Sequence, residues 1–68
     1  MSIRDLMDQF EIQGKFEIKA YDSDYDDIVT LAKGDDFECE RHKIRESILD
    51  AEIIYMYAVD GVLIIEVV

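Results

Sequence analysis

Asp22, Asp24 and Asp26 stand at alternate positions, the spacing with which a calcium-binding EF-hand loop begins. Calcium takes oxygen ligands, so these three carboxylates form a weak calcium candidate. The rest of the loop pattern is missing. Asp27 stands where the loop needs glycine, Lys33 stands where it needs a bidentate glutamate, and the flanks read as strands. A solvated turn is the favoured reading. Cys39 and His42 are the only soft metal ligands, whereas zinc takes about four, which excludes a zinc site within one chain. As nucleophile and base they fare little better. On a strand, residues three apart point to opposite faces, so this pair meets only if the chain turns between them. A half-buried cysteine and a surface histidine are expected instead. Ser2, Ser23 and Ser47 lie in no nucleophile elbow, and no glycine-rich phosphate loop occurs. No catalytic residue, cofactor or assigned metal site follows, and a non-enzymatic protein is expected.

Charge is more informative. Seventeen acids against seven bases give a formal net charge of −10. Such a chain repels nucleic acid and anionic lipid at long range, so direct binding to either is not expected. Asp22, Asp24, Asp26, Asp27, Asp35, Asp36, Glu38 and Glu40 form an acidic stretch relieved only by Lys33. Most such surfaces only solubilise. The sharper alternative is a nucleic-acid mimic, because alternate carboxylates on a strand sit ~6.6–6.8 Å apart and suit a phosphate-binding groove. The basic run Arg41-His42-Lys43-Ile44-Arg45 is too short to reverse that sign, though it could pair with acids of a second copy.

With 68 residues, one domain spanning 1–68 is expected, and its core is marginal unless a partner helps. A single cysteine excludes an internal disulfide, and the chain has no proline. No signal pattern and no apolar run of ~20 residues occurs, so the cytoplasm is the expected compartment and no membrane is expected as a partner.

The elements follow from spacing. Ser2 and Asp5 form a capping-box pair, and Ile3, Leu6, Met7 and Phe10 line one stripe of a short helix with Gly14 as its stop. From Lys15 the period becomes two: Phe16, Ile18 and Ala20 share one face of a strand. Ile28 to Lys33 is a second strand and Phe37 to Arg41 a third, completing an antiparallel meander. A helical turn falls near Ile44–Leu49. Two strands, Ala51–Val59 and Val62–Val68, then flank Asp60-Gly61, the type I′ hairpin signal.

That turn pairs Val59 with Val62, Tyr57 with Ile64, Tyr55 with Glu66 and Ile53 with Val68 on one face. Ala58 with Leu63, Met56 with Ile65 and Ile54 with Val67 occupy the other, which is sufficient as a core. The first face, with Ile53, Tyr55, Tyr57, Val62 and Ile64, is apolar surplus where a half-buried sheet would alternate. Either the N-terminal helix, the 44–49 turn or barrel closure covers it, or it meets another molecule. Tyrosine suits such a surface.

Asp5–Gly14 and Asp50–Tyr57 resemble segments of small acidic hypothetical proteins of Gram-positive phages and conjugative elements. The resemblance transfers no site residue, and implies an accessory regulator or an inhibitor of a host nucleic-acid enzyme. The expected fold is α+β, a short N-terminal helix on a five-stranded, mainly antiparallel sheet or small barrel ending in the hairpin. The expected function is a small acidic protein-interaction or accessory regulatory module acting through the hairpin face, with a protein partner that includes a second copy. The alternative is the acidic mimic.

Overall fold

Ser2 and Asp5 do form the predicted reciprocal cap. The Asp5 N–H donates to Ser2 Oγ at 3.2 Å, and the Ser2 N–H donates to Asp5 Oδ2 at 3.1 Å. They open helix α1, Ile3–Gln9, which buries Ile3 and Leu6. Seven residues give about two turns, too few for independent stability, so the helix depends on what it docks against. The helix stops before the expected glycine: Phe10 is already extended, and Gly14 with φ +88° lies in the loop beyond.

The computed structural model describes all 68 residues. Strands β1, Phe16–Asp22, and β2, Asp27–Gly34, form the first hairpin. Helix α2, Phe37–Glu40, a 3₁₀ turn, Arg41–Lys43, and helix α3, Glu46–Leu49, follow. Strands β3, Ile53–Val59, and β4, Val62–Val67, close the chain. The sheet order is β2-β1-β4-β3. Both hairpins are antiparallel, while the central pair β1 and β4 runs parallel, so the sheet is mixed.

The core lies on one side of this sheet. Phe16 and Ile18 from β1 and Ile65 and Val67 from β4 meet Ile3, Leu6, Phe37, Ile44 and Leu49 from the helical segments. The architecture is therefore two layers, α+β, with helices on one face only. No closed barrel forms.

Two expectations need correction. The third strand, expected at Phe37–Arg41, is helical, which leaves four strands and not five. Phe-Glu-Cys-Glu-Arg reads as an alternation, but only Phe37 is buried, and the backbone answers to its caps instead. Asp36 Oδ1 accepts from the Glu38 N–H at 3.3 Å, and Glu40 Oε2 accepts from the Asp35 N–H at 2.8 Å. These carboxylates satisfy donors that a helix start leaves orphaned. The second correction is at the start of β3. A bulge between Ile53 and Tyr55 puts Ile53, not Ile54, opposite Val67, and turns Ile53 toward the helix-side core.

Candidate interaction surface

The predicted turn fixes the hairpin. Asp60 at φ +51° and Gly61 at φ +78° both take the left-handed conformation of a type I′ turn. Pairing follows as Val59↔Val62, Ala58↔Leu63, Tyr57↔Ile64, Met56↔Ile65 and Tyr55↔Glu66, as the sequence predicts. Only the two pairs beyond the bulge differ.

Because the helices share the core face, Tyr55, Tyr57, Val59, Val62 and Ile64 point to the face that no helix covers. That face is not uniform. Its β1 and β2 half carries Glu17 and Lys19, an ion pair at 3.5 Å, together with Thr30, Lys33 and, near the β1–β2 turn, the exposed Tyr21–Ile28 pair. Its β3 and β4 half is apolar except for Glu66. Within it Tyr55 and Tyr57 are exposed, Val62 is half-buried, and Ile64 is only 5% exposed. Ile64 is flanked in register by Tyr57 on one side and Glu17 on the other, so the open face has a small apolar centre of its own. Of the five residues expected on this surface, Ile53 is the exception, moved to the core side by the bulge.

Sequence reasoning missed that the helix layer stops short of β3. On the helix side, Ile65 and Val67 of β4 are buried, yet their neighbour Met56 is 50% exposed and Ala58 is exposed as well. The face that looked sufficient as a core is a core only along β4. Strand β3 is thus an edge strand bare on both faces, with no charged residue from Ile53 to Val59. The signal was available in the uncharged run itself, since an edge normally carries charge or proline.

The Glu66 carboxylate across the strand pair holds the Tyr57 phenol above its ordinary value. Asp26 does the same to Tyr21. Both shifts favour the protonated phenol in the folded state. Their contribution to stability is present below the unfolded value of about 10 and is lost as pH rises through the folded values. A tyrosinate titration at 295 nm should show Tyr21 and Tyr57 ionising above the ordinary phenol value of about 10, and Glu66→Gln should lower the Tyr57 value.

The remaining sequence candidates do not converge. No three acidic, histidine or cysteine side chains are placed to hold a metal. Of the weak calcium candidate, Asp22 Oδ1 accepts from the Asp24 N–H at 2.9 Å, while Asp26 is taken by the Tyr21 hydroxyl. The acidic stretch divides. Asp22, Asp24, Asp26 and Asp27 lie at one end of β2, and Asp35, Asp36, Glu38 and Glu40 lie past the other. An eight-residue strand separates them by roughly 25 Å. Glu38 and Glu40 sit on a helical turn, so the strand-like row of carboxylates is not formed.

Cys39 is exposed and not half-buried. The chain does turn between Cys39 and His42, but the thiol donates to Asp36 Oδ2 at 3.3 Å. That bond, with the Asp36 charge, raises the thiol above its ordinary value and so works against a nucleophilic thiolate. Asp36→Asn should therefore speed Cys39 alkylation by iodoacetamide at pH 8, and an unchanged rate would refute the assignment.

No helix is long and apolar enough to cross a membrane. No family model, curated protein or solved structure matches this chain.

Proposed function

We propose that this chain is a non-enzymatic protein-interaction module, and that its working surface is the β3–β4 hairpin. The observation that carries the reading is the state of β3: an uncharged strand at the sheet edge, bare on both faces, beside an open face on which Glu66 is the one charge the hairpin contributes. A small domain gains nothing in solubility from such a strand. Exposed edges and contiguous apolar patches are liabilities that persist where something binds them. Tyr55 and Tyr57 supply apolar rings with water-tolerant hydroxyls at that patch. The resemblance of Asp5–Gly14 and Asp50–Tyr57 to small acidic proteins of phages and conjugative elements supports an accessory or regulatory role. The strong negative charge disfavours nonspecific contacts with nucleic acid.

The test is capture from an extract of the source cells by the tagged chain, compared with the Tyr55→Ser/Tyr57→Ser double variant and a Tyr25→Ser control. A protein retained by wild type and control, and reduced at least about tenfold by the double variant, supports the reading, since aromatic anchors carry ~2 kcal/mol or more each at such surfaces. Equal retention by a folded double variant contradicts it.

A further inference from the structure

The seven cations of this chain divide by their surroundings. Arg4, Lys19 and Arg41 are held in ion pairs by Asp50, Glu17 and Glu38. Lys15 and Lys33 are in no ion pair, but they share a cleft with Glu17, Asp35 and Glu40. Lys43 and Arg45 are unpaired as well, and no aspartate or glutamate side chain lines the groove that they border. In a chain of net charge −10, this is the one concavity whose charged side chains are all basic.

Local structure produces the arrangement. Ile44, at φ −77° and ψ 131°, is extended and buries its side chain in the core. Its neighbours Lys43 and Arg45 therefore point the other way together, about 7 Å apart. Helix α3 sorts its own charges. Asp50 accepts from Arg4 at 2.8 Å, and Glu46, four residues earlier, shares that face. Ser47, Ile48 and Ala51 are left to border the groove. Its floor runs from Leu31 and Ala32 on β2, past Ala20 on β1, to Val67 on β4, two strand spacings or roughly 10 Å. The groove has a volume of about 590 Å³, within the roughly 300–1,000 Å³ of small-molecule sites. Leu31 is 41% exposed and Ile48 is half-buried, so apolar surface stands open there.

We propose that this groove binds a small amphipathic carboxylate, its aliphatic chain along the floor and its head between Lys43 and Arg45. The site lies away from the Tyr55 and Tyr57 face, and the inference is independent of the hairpin reading. Arginine offers a carboxylate two parallel donors, and lysine adds a point charge. The net charge of −10 opposes each further negative charge, so a single carboxylate is favoured over a phosphate dianion. The floor selects against a peptide. A peptide laid there buries amide groups among alkyl side chains, where Thr30 and Ser47 are the only uncharged polar side chains in the lining. An aliphatic chain brings no such groups.

An amide NMR titration with decanoate, kept below its micelle concentration, tests the proposal. The expected result is saturable one-to-one binding that shifts Leu31, Ala32, Ile48 and Ala51 and leaves Tyr55 to Val59 in place. Decanol, with the same tail and no charge, should bind about tenfold more weakly, the loss of two exposed ion pairs. Octanoate, two methylenes shorter, should also lose about tenfold. Acetate, a head without a tail, should not saturate. Lys43→Gln/Arg45→Gln should bring decanoate to the decanol value, and the fold survives because both side chains are exposed. The Tyr55→Ser/Tyr57→Ser variant should bind decanoate as wild type does, which keeps this result apart from that of the hairpin. Decanol binding as tightly as decanoate overturns the proposal, as does a double glutamine variant that binds decanoate unchanged. So does an absence of saturation, or shifts centred on Tyr55 to Val59. Anionic lipid vesicles, or the peptide Glu-Leu-Glu-Phe-Glu, that shift the groove amides where decanoate does not would assign the groove to a membrane or a protein segment and overturn it too.

Discussion

Phe37→Ala should leave the chain largely unfolded at 37 °C. Phe37 is 1% exposed and meets Phe16 edge-to-face, with ring centroids 5.0 Å apart at 78°. Truncating a buried phenylalanine costs about 3–5 kcal/mol, and the lost aromatic pair lies within that range. Stability of roughly 0.05–0.15 kcal/mol per residue gives 68 residues only about 3–10 kcal/mol in total. The position matters as much as the volume. Helices α2 and α3 have four residues each and no stability of their own, so the segment crossing the sheet is held by Phe37, Ile44 and Leu49. Thermal denaturation followed by circular dichroism should show Tm falling by more than about 12 °C. A fall of a few degrees would mean that the crossing segment is not anchored there.

Gly34→Val should be the next most damaging change, at about 1–3 kcal/mol. This glycine needs no unusual backbone angle; it needs space. A Cβ at this position would stand 2.8 Å from Phe16 Cε1 and would overlap the Glu40 carboxylate. Glu40 would give way and leave the Asp35 and Asp36 N–H groups that it now accepts. Phe16, 2% exposed, has less room to move. Gly34 is thus where the end of β2, the cap of α2 and the Phe16–Phe37 pair meet. Urea denaturation checks it, and adding Glu40→Ala to Gly34→Val should not restore stability, because the ring contact persists. Restoration would assign the strain to Glu40 alone.

The parts of this fold that were legible in the sequence are those set by neighbours in the chain. The Ser2–Asp5 cap, the β1 alternation and the Asp60-Gly61 turn with its register to Tyr55↔Glu66 are all local. The misread segment, Phe37–Glu40, is local too, but there two signals competed. An alternation of five residues lost to Asp36 and Glu40 acting on backbone donors. The parallel pairing of β1 with β4 was not legible, because it depends on an 18-residue crossing from Asp35 to Glu52 whose path no short pattern encodes. The bulge at Ile53–Tyr55 was hidden for a related reason: every residue there is apolar, so a one-residue slip leaves no trace in the pattern. The uncovered hairpin face was legible as an apolar face with too little to cover it. Its extent was underestimated, because the reach of a helix layer is a tertiary property.

Tyrosine nitration mapped by mass spectrometry tests the central claim most directly. All four tyrosines are exposed: Tyr21 at 58%, Tyr25 at 79%, Tyr55 at 63% and Tyr57 at 44%. Tyr55 and Tyr57 lie on the hairpin, while Tyr21 and Tyr25 lie at the β1–β2 turn and serve as internal references. All four should react in the dilute isolated chain. In concentrated protein, or in the extract of the source cells, Tyr55 and Tyr57 should be protected while Tyr21 and Tyr25 react as before. Undiminished reaction at Tyr55 and Tyr57 under every condition, or protection confined to Tyr21 and Tyr25, would contradict the hairpin as the binding surface.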